Sequence, residues 1–167
     1  MKKNEEQAVV TKSGYETLSK ELKFLRTTRT QEVADKIEEA RSHGDLSENA
    51  EYTAAKDEQA KIESRIRELE NILSNVKVVD VENLDTTRVA IGLTVTLEDI
   101  DRPGKVYKYT LVGSEELSGI NLSGELKIIS QKSPVGQAIL GHVAGDEVVF
   151  KIPKGMRRLK ILSIAKE

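Results

Sequence analysis

Two runs of apolar residues, spaced as on helices and mirroring each other in number, leave the first half of this chain few ways to fold. Leu18, Leu22, Leu25, Val33, Ile37 and Ala40 form one run, and Ala50, Ala54, Ile62, Ile66, Leu69, Leu73 and Val76 form the other. The three prolines stand at 103, 134 and 153, so neither run is interrupted. If the chain reverses at Gly44, where a left-handed residue can end one helix, residues that face each other have a nearly constant sum. Leu18 with Leu73, Leu22 with Leu69, Leu25 with Ile66 and Ile37 with Ala54 each give 91, and Ala40 with Ala50 gives 90. That register predicts an antiparallel α-helical coiled-coil hairpin, with helices over about 12–43 and 46–77 and a tip at 44–51. Arg29 opposite Ile62 and Val33 opposite Glu58 break the seam, and their long side chains are expected to snorkel out of it. Leucine and isoleucine give way to alanine toward the tip, which makes that end slim. At 1.5 Å per residue, Tyr15 to Ser42 would form an arm about 40 Å long.

After Asp80 the period changes from helical to alternating. The segments 88–100, 105–112, 124–130, 146–152 and 157–164 are β-rich, and Arg102-Pro103-Gly104, Ala144-Gly145-Asp146 and Pro153-Lys154-Gly155 separate several of them as turns. Ser133-Pro134 is an N-cap followed by proline at the first helical position, opening a short helix that stops at Gly141. The expected fold is α+β: the hairpin over 1–80, then an antiparallel sheet domain with one short helix over 81–167.

Charge and composition narrow the function. The net charge of −2 disfavours a free-standing nucleic-acid binder, which relies on neutralising phosphates. There is no cysteine, and with only two histidines, His43 and His142, no His-based metal cage or triad can be assembled. No Walker loop or dinucleotide glycine motif occurs. No apolar stretch is long enough for a secretory signal or a membrane span, so a cytoplasmic protein is expected.

The tip carries the most specific signal. Between Glu38 and Glu58 seven acids face two bases, a local net charge of −5. Two readings of Asp45 and Glu48 stand side by side. They can form a capping box at the start of the second helix, or present two carboxylates from one turn to a Mg²⁺ site completed by another molecule. Lower on the hairpin, Lys23, Arg26, Arg29, Lys61 and Arg65 fall at one level. They form either a basic belt for RNA or a merely solubilising face.

"ARSHGDLSENAEYTAAKDEQ" (40–59), "RIRELENIL" (65–73) and "SPVGQAILGHVAGDEVVFKIPKG" (133–155) resemble the bacterial Gre transcript cleavage factors, nearer their GreA branch, over most of the chain from about Thr11. The resemblance implies a coiled coil entering the secondary channel of RNA polymerase and an FKBP-like C-terminal domain docking at the channel rim. The factor would stimulate the polymerase's own cleavage of the 3′ end of backtracked nascent RNA, without being an enzyme itself. By motif position, Asp45 and Glu48 match the acids that assist a Mg²⁺ ion shared with the polymerase active site, with no cofactor held stably by the factor alone. Ser133 and Pro134 match a polymerase-docking segment. A monomer without strong autonomous nucleic-acid binding and without membrane association is expected. The chain departs from the family at Arg29-Thr30, where a proline often follows the arginine, and at Gln131-Lys132, where an acid is expected before the Ser-Pro pair. Rival readings are a non-cleaving channel regulator or structural adaptor, and a prolyl isomerase. The isomerase lacks aromatics for its pocket, since only Tyr107, Tyr109 and Phe150 follow Asp80.

Overall fold

The computed structural model describes residues 7–44, 49–119 and 127–166. They fall into two compact units, one spanning 16–75 and one that joins 7–15 to 76–166.

The helical unit is a hairpin. Its first arm is α1 (Lys12–Phe24), a π-helical turn (Leu25–Arg29) and α2 (Thr30–Ser42), with helical backbone throughout. α3 (Ala50–Asn75) returns. Cross-arm ion pairs confirm the antiparallel register: Glu21 with Arg65 at 2.8 Å, Arg26 with Glu70, Arg29 with Glu58, and Lys36 with Glu58 at 2.9 Å. These pairs' numbers straddle the expected 91. Leu18 and Leu69 are fully buried, and Val33, Ile37, Ala55 and Ile62 form a cluster backed by Leu25, Tyr52 and Ile66.

Two details of the expected hairpin need correction. An unbroken α-helix over 12–43 is not found, and the sequence shows why. Leu18, Leu25, Val33 and Ala40 are separated by seven, eight and seven residues, and a π turn absorbs the one extra residue. The Thr30 N–H and hydroxyl both donate to the Leu25 carbonyl, the hydroxyl at 2.7 Å. Near the tip, Ala55 is buried where Ala54 was expected, while Ala50 and Ala54 are exposed. At the seam break expected between Val33 and Glu58, the long side chain does leave the seam: Val33 is only 1% exposed, and Glu58 turns aside to bridge Arg29 and Lys36.

In the other unit, β1 (Val9–Thr11) pairs in parallel with β2 (Lys77–Val79), a strand where the sequence suggested the end of the second helix. Five further strands, β3 (Thr94–Asp99), β4 (Val106–Val112), β5 (Lys127–Ser130), β6 (Glu147–Ile152) and β7 (Gly155–Ala165), form a sheet in the order β5-β4-β3-β7-β6. The expectation of an antiparallel sheet is corrected at one edge, because β5 runs parallel to β4. Antiparallel neighbours can be joined by a tight turn, but parallel ones need a crossover of a dozen or more residues. The chain between Val112 and Lys127 is that long, and it includes a 3₁₀ turn at Ser114–Gly119.

Val95, Leu97, Leu111, Leu159 and Ile161 from the central strands meet Val148 and Phe150 of β6 and Ile139 of α4 (Pro134–Ile139) in the core. A bulge opposite Thr96 and Leu97 leaves Leu162 unpaired and exposed. Behind β1, the buried Glu116 carboxylate accepts hydrogen bonds from the Thr11 N–H and, at 2.9 Å, from its hydroxyl. The same hydroxyl accepts the Gly14 N–H at 3.0 Å, which makes Thr11 the N-cap of α1.

Candidate functional site

At the hairpin tip one side chain serves both arms. Asn49 Oδ1 accepts the Tyr52 N–H at 3.1 Å, the N-cap bond of α3, and Asn49 Nδ2 donates at 2.8 Å to the Ala40 carbonyl, which also takes the His43 N–H at 3.2 Å. The described part of this helix begins at Ala50, and Asn49 caps it there. Asp45 and Glu48 lie outside the described residues. Glu38, Glu39, Glu51 and Asp57 are all exposed around this end, with the Glu51 carboxylate 3.3 Å from His43 Nδ1. Glu58 is held more firmly, by Arg29 and by Lys36 at 2.9 Å. Its hydrogen bond from Lys36, together with the charges of Lys36 and Arg29, holds its carboxyl below the usual range against the opposing effect of burial.

The five residues of the basic belt do not share one state. Arg26 pairs with Glu70, Arg29 with Glu32 and Glu58, and Arg65 with Glu21 and Glu68 at 2.8 Å each. These arginines lace the hairpin together, and the hydrogen bond to Glu21 leads the effects that raise the Arg65 pKa. Lys23 and Lys61 are exposed, with no carboxylate in ion-pair range among the described residues. Sequence spacing finds such a row but cannot see that acids one turn away neutralise most of it.

Ser133 and Pro134 are placed by local chemistry. Ser133 Oγ accepts the Gly136 N–H at 3.0 Å and donates to the Ser130 carbonyl at 2.7 Å, capping α4 and pinning it to the end of β5, with Pro134 in the first turn. A Cβ on Gly136 would come within 2.1 Å of the same Ser130 carbonyl, so only glycine permits this approach. Pro134 borders a shallow groove between α4 and β6. Ala138, Val149 and Phe150 give it apolar character, and Lys132 and Lys151 also line it. Val149 is 58% exposed.

Sequence reasoning missed a polar cluster at the β3–β4 turn. The buried Asp99 carboxylate accepts the N–H groups of Asp101 and Arg102 and binds both guanidinium groups, Arg102 at 3.0 Å and Arg157 at 2.9 Å. Burial pushes the Asp99 carboxyl up, but the Arg102 hydrogen bond and the two positive charges outweigh it and leave it below the usual range. Tyr107 stacks on Tyr109 with 5.9 Å between ring centres and takes Arg157 over its face. The available signal was an aspartate two and three residues before the donors of a turn.

The hairpin with its acid-rich end and the separate mixed-sheet unit define a class when set beside known proteins. The chain belongs to the GreA/GreB family of transcription elongation factors. Residues 8–78 match the family model described as "Transcription elongation factor, N-terminal", and 84–166 match "Transcription elongation factor, GreA/GreB, C-term". Transcription elongation factor GreA of Chloroherpeton thalassium is 50% identical over 93% of this chain and 94% of its own length. GreA of Thermoanaerobacter pseudethanolicus is 46% identical over 95% and 97%. Among solved structures, the GreA factor homolog 1 of Thermus thermophilus is 32% identical, covering 95% of this chain and 98% of its own, with a TM-score of 0.42. No described helix is long and apolar enough to cross a membrane.

Proposed function

We propose that this chain is a transcript cleavage factor. It would bind bacterial RNA polymerase as a monomer in the cytoplasm, insert its hairpin into the secondary channel, and stimulate the polymerase's cleavage of the backtracked nascent RNA 3′ end. The observation that carries this reading is the division of labour at the tip. Asn49 supplies the N-cap hydrogen bond to Tyr52, so that bond does not call on Asp45 or Glu48. Two carboxylates three residues apart, in a segment of net charge −5, are hard oxygen donors of the kind Mg²⁺ takes. When bound, Mg²⁺ supplies an activated water and charge neutralisation for phosphodiester hydrolysis. Asp45 and Glu48 would raise its occupancy in a site shared with polymerase and hold the attacking water, and the factor alone would bind the ion weakly.

Ser133 and Pro134 would present the docking edge of the other unit. Contact with RNA along the hairpin would fall to Lys23 and Lys61, since the three arginines are already paired.

Asp45→Asn and Glu48→Gln keep hydrogen-bonding capacity and remove charge. Both variants should fold and compete for polymerase like the parent, while cleavage in stalled elongation complexes falls about 10²-fold and is partly restored by added Mg²⁺. Full cleavage by the double variant would overturn the proposal.

A further inference from the structure

The Asp99 cluster holds more positive charge than its own contacts use. Asp99 is fully buried, and its carboxylate fixes Arg102 at 3.0 Å and Arg157 at 2.9 Å. The Tyr107 hydroxyl accepts from the same two guanidinium groups, at 3.4 Å from Arg102 Nη2 and 3.3 Å from Arg157 Nη2. Lys105 Nζ and the Arg157 guanidinium each stand 5.7 Å from the centre of the Tyr107 ring. Tyr107 stacks on Tyr109, whose register partner on β5 is Lys127. Paired residues point to one side of a sheet, so Lys127 shares the face of the two tyrosines.

Four cations therefore meet one carboxylate. The neighbouring acids do not restore the balance. Asp101 is paired with Arg158, and Glu98 is on the opposite face of β3, in register with Lys160. Burial pushes the Tyr107 phenol up, but the Arg157 hydrogen bond and the charges of Arg102, Lys105 and Arg157 outweigh it and leave it below its ordinary value. Donors are also left over. Arg157 Nε is buried without a hydrogen-bond partner among the described residues, and Nη1 of both arginines has none there either. Lys105 and Lys127 are exposed, with no carboxylate in ion-pair range among the described residues.

Guanidinium groups held in place by a buried carboxylate, with donors to spare, are preorganised for an oxyanion. The size of the excess selects its class. A lone carboxylate would cancel one charge of the excess, whereas linked phosphates bring several within a few ångströms. A long polyanion is disfavoured, because the whole chain carries −2 and would repel it. We propose that Arg102, Lys105, Lys127 and Arg157, around Tyr107 and Tyr109, form a binding site for a compact polyphosphate, either free or carried on a nucleotide. The site draws on none of Asp45, Glu48, Ser133 and Pro134, so it stands apart from the cleavage role proposed above.

Calorimetric titration of the full chain tests this, with inorganic triphosphate and ATP as probes and EDTA present to remove divalent cations. Both should bind saturably, and more weakly as NaCl is raised. Tighter binding of ATP identifies a nucleotide as the source of the phosphates, and equal or weaker binding identifies the polyphosphate itself. Arg102→Ala combined with Lys105→Ala removes two exposed cations and leaves the bond between Asp99 and Arg157 in place. It should weaken binding by about tenfold or more. Lys127→Ala, which touches no hydrogen bond of the cluster, should weaken it by about threefold. Lys12→Ala combined with Lys77→Ala removes the same charge from exposed positions on α1 and β2 and should change affinity by less than about twofold. The inference is overturned if neither probe binds saturably, or if the two double variants lose affinity alike. It is also overturned if a tetraglutamate peptide binds as tightly as triphosphate, which would make this a site for acidic peptides.

Discussion

The π turn makes a prediction in which adding and removing a residue are not equivalent. Leu25 and Val33 are eight residues apart where the flanking intervals are seven, and each residue of an α-helix turns the chain by about 100°. If Leu25–Arg29 were regular helix, Val33, Ile37 and Ala40 would rotate by that angle away from α3. Val33 and Ile37 are nearly fully buried. Exposing two such side chains costs about 3–6 kcal/mol, at 1.5–3 kcal/mol each and as an upper estimate. Deleting Thr28, which is exposed, removes the extra residue, so an all-α arm keeps the seam in phase. The deletion should leave stability within about 1 kcal/mol of the parent, since only turn-local bonds such as Thr30 to Leu25 are lost. Inserting an alanine after Thr28 adds a second residue out of phase and should cost most of the 3–6 kcal/mol. Urea unfolding followed by far-UV circular dichroism measures both. Equal losses in the two variants would refute the idea that the π turn exists to keep the seam in phase.

Other outcomes follow from individual contacts. Leu69→Asp places a charge at a fully buried seam position and should abolish cooperative melting of the hairpin, whereas Leu22→Asp, at a half-buried site, should lower the midpoint by much less. Because the Asp99 carboxyl titrates below its ordinary value when folded, its contribution is fully present above the unfolded value near 4 and is lost as pH falls through the folded one. The melting-temperature gap between the parent and Asp99→Asn should therefore be constant at neutral pH and close only in acid. Glu116→Ala strands the Thr11 N–H and hydroxyl in a buried setting, and denaturant titration should show a loss of about 1–3 kcal/mol. At physiological salt the full chain should show no appreciable retention of free duplex DNA in a gel-shift assay, in keeping with its net charge of −2.

The hairpin was legible because a two-helix seam repeats one signal many times, so mirrored numbering survives a few irregular positions. Its finer structure was present in the same numbers. The eight-residue step to Val33 marks the π turn, and it passes unnoticed when leucines and alanines are matched by sum alone. The strands were legible from alternation and turn residues, but the parallel pairing of β5 was not, since alternation fixes which face a residue takes and says nothing of strand direction. Pairing of β1 with β2 left almost no trace, three residues being too few for a period. At the tip, the spacing of Asp45 and Glu48 fits a capping box, and Asn49, directly before Ala50, is by residue type an equally good cap that spacing alone does not single out. The Asp99 cluster joins β3 to Arg157, 58 residues away, a distance at which no local pattern operates.

The tie between Thr11 and Glu116 has a consequence for the chain as it is made. These partners are 105 residues apart, so at about 5–20 residues per second the ribosome needs roughly 5–20 s after making Thr11 to supply Glu116. Val9 and Val10 can meet their β2 partners once residues 77–79 are made, but the Thr11 hydrogen bonds must wait for Glu116, and the hairpin, whose contacts are nearer in sequence, is complete in the chain before then. The N-terminal strand is thus fixed in two stages, and the sheet itself closes later still, when β7 arrives to pair with β3 and β6.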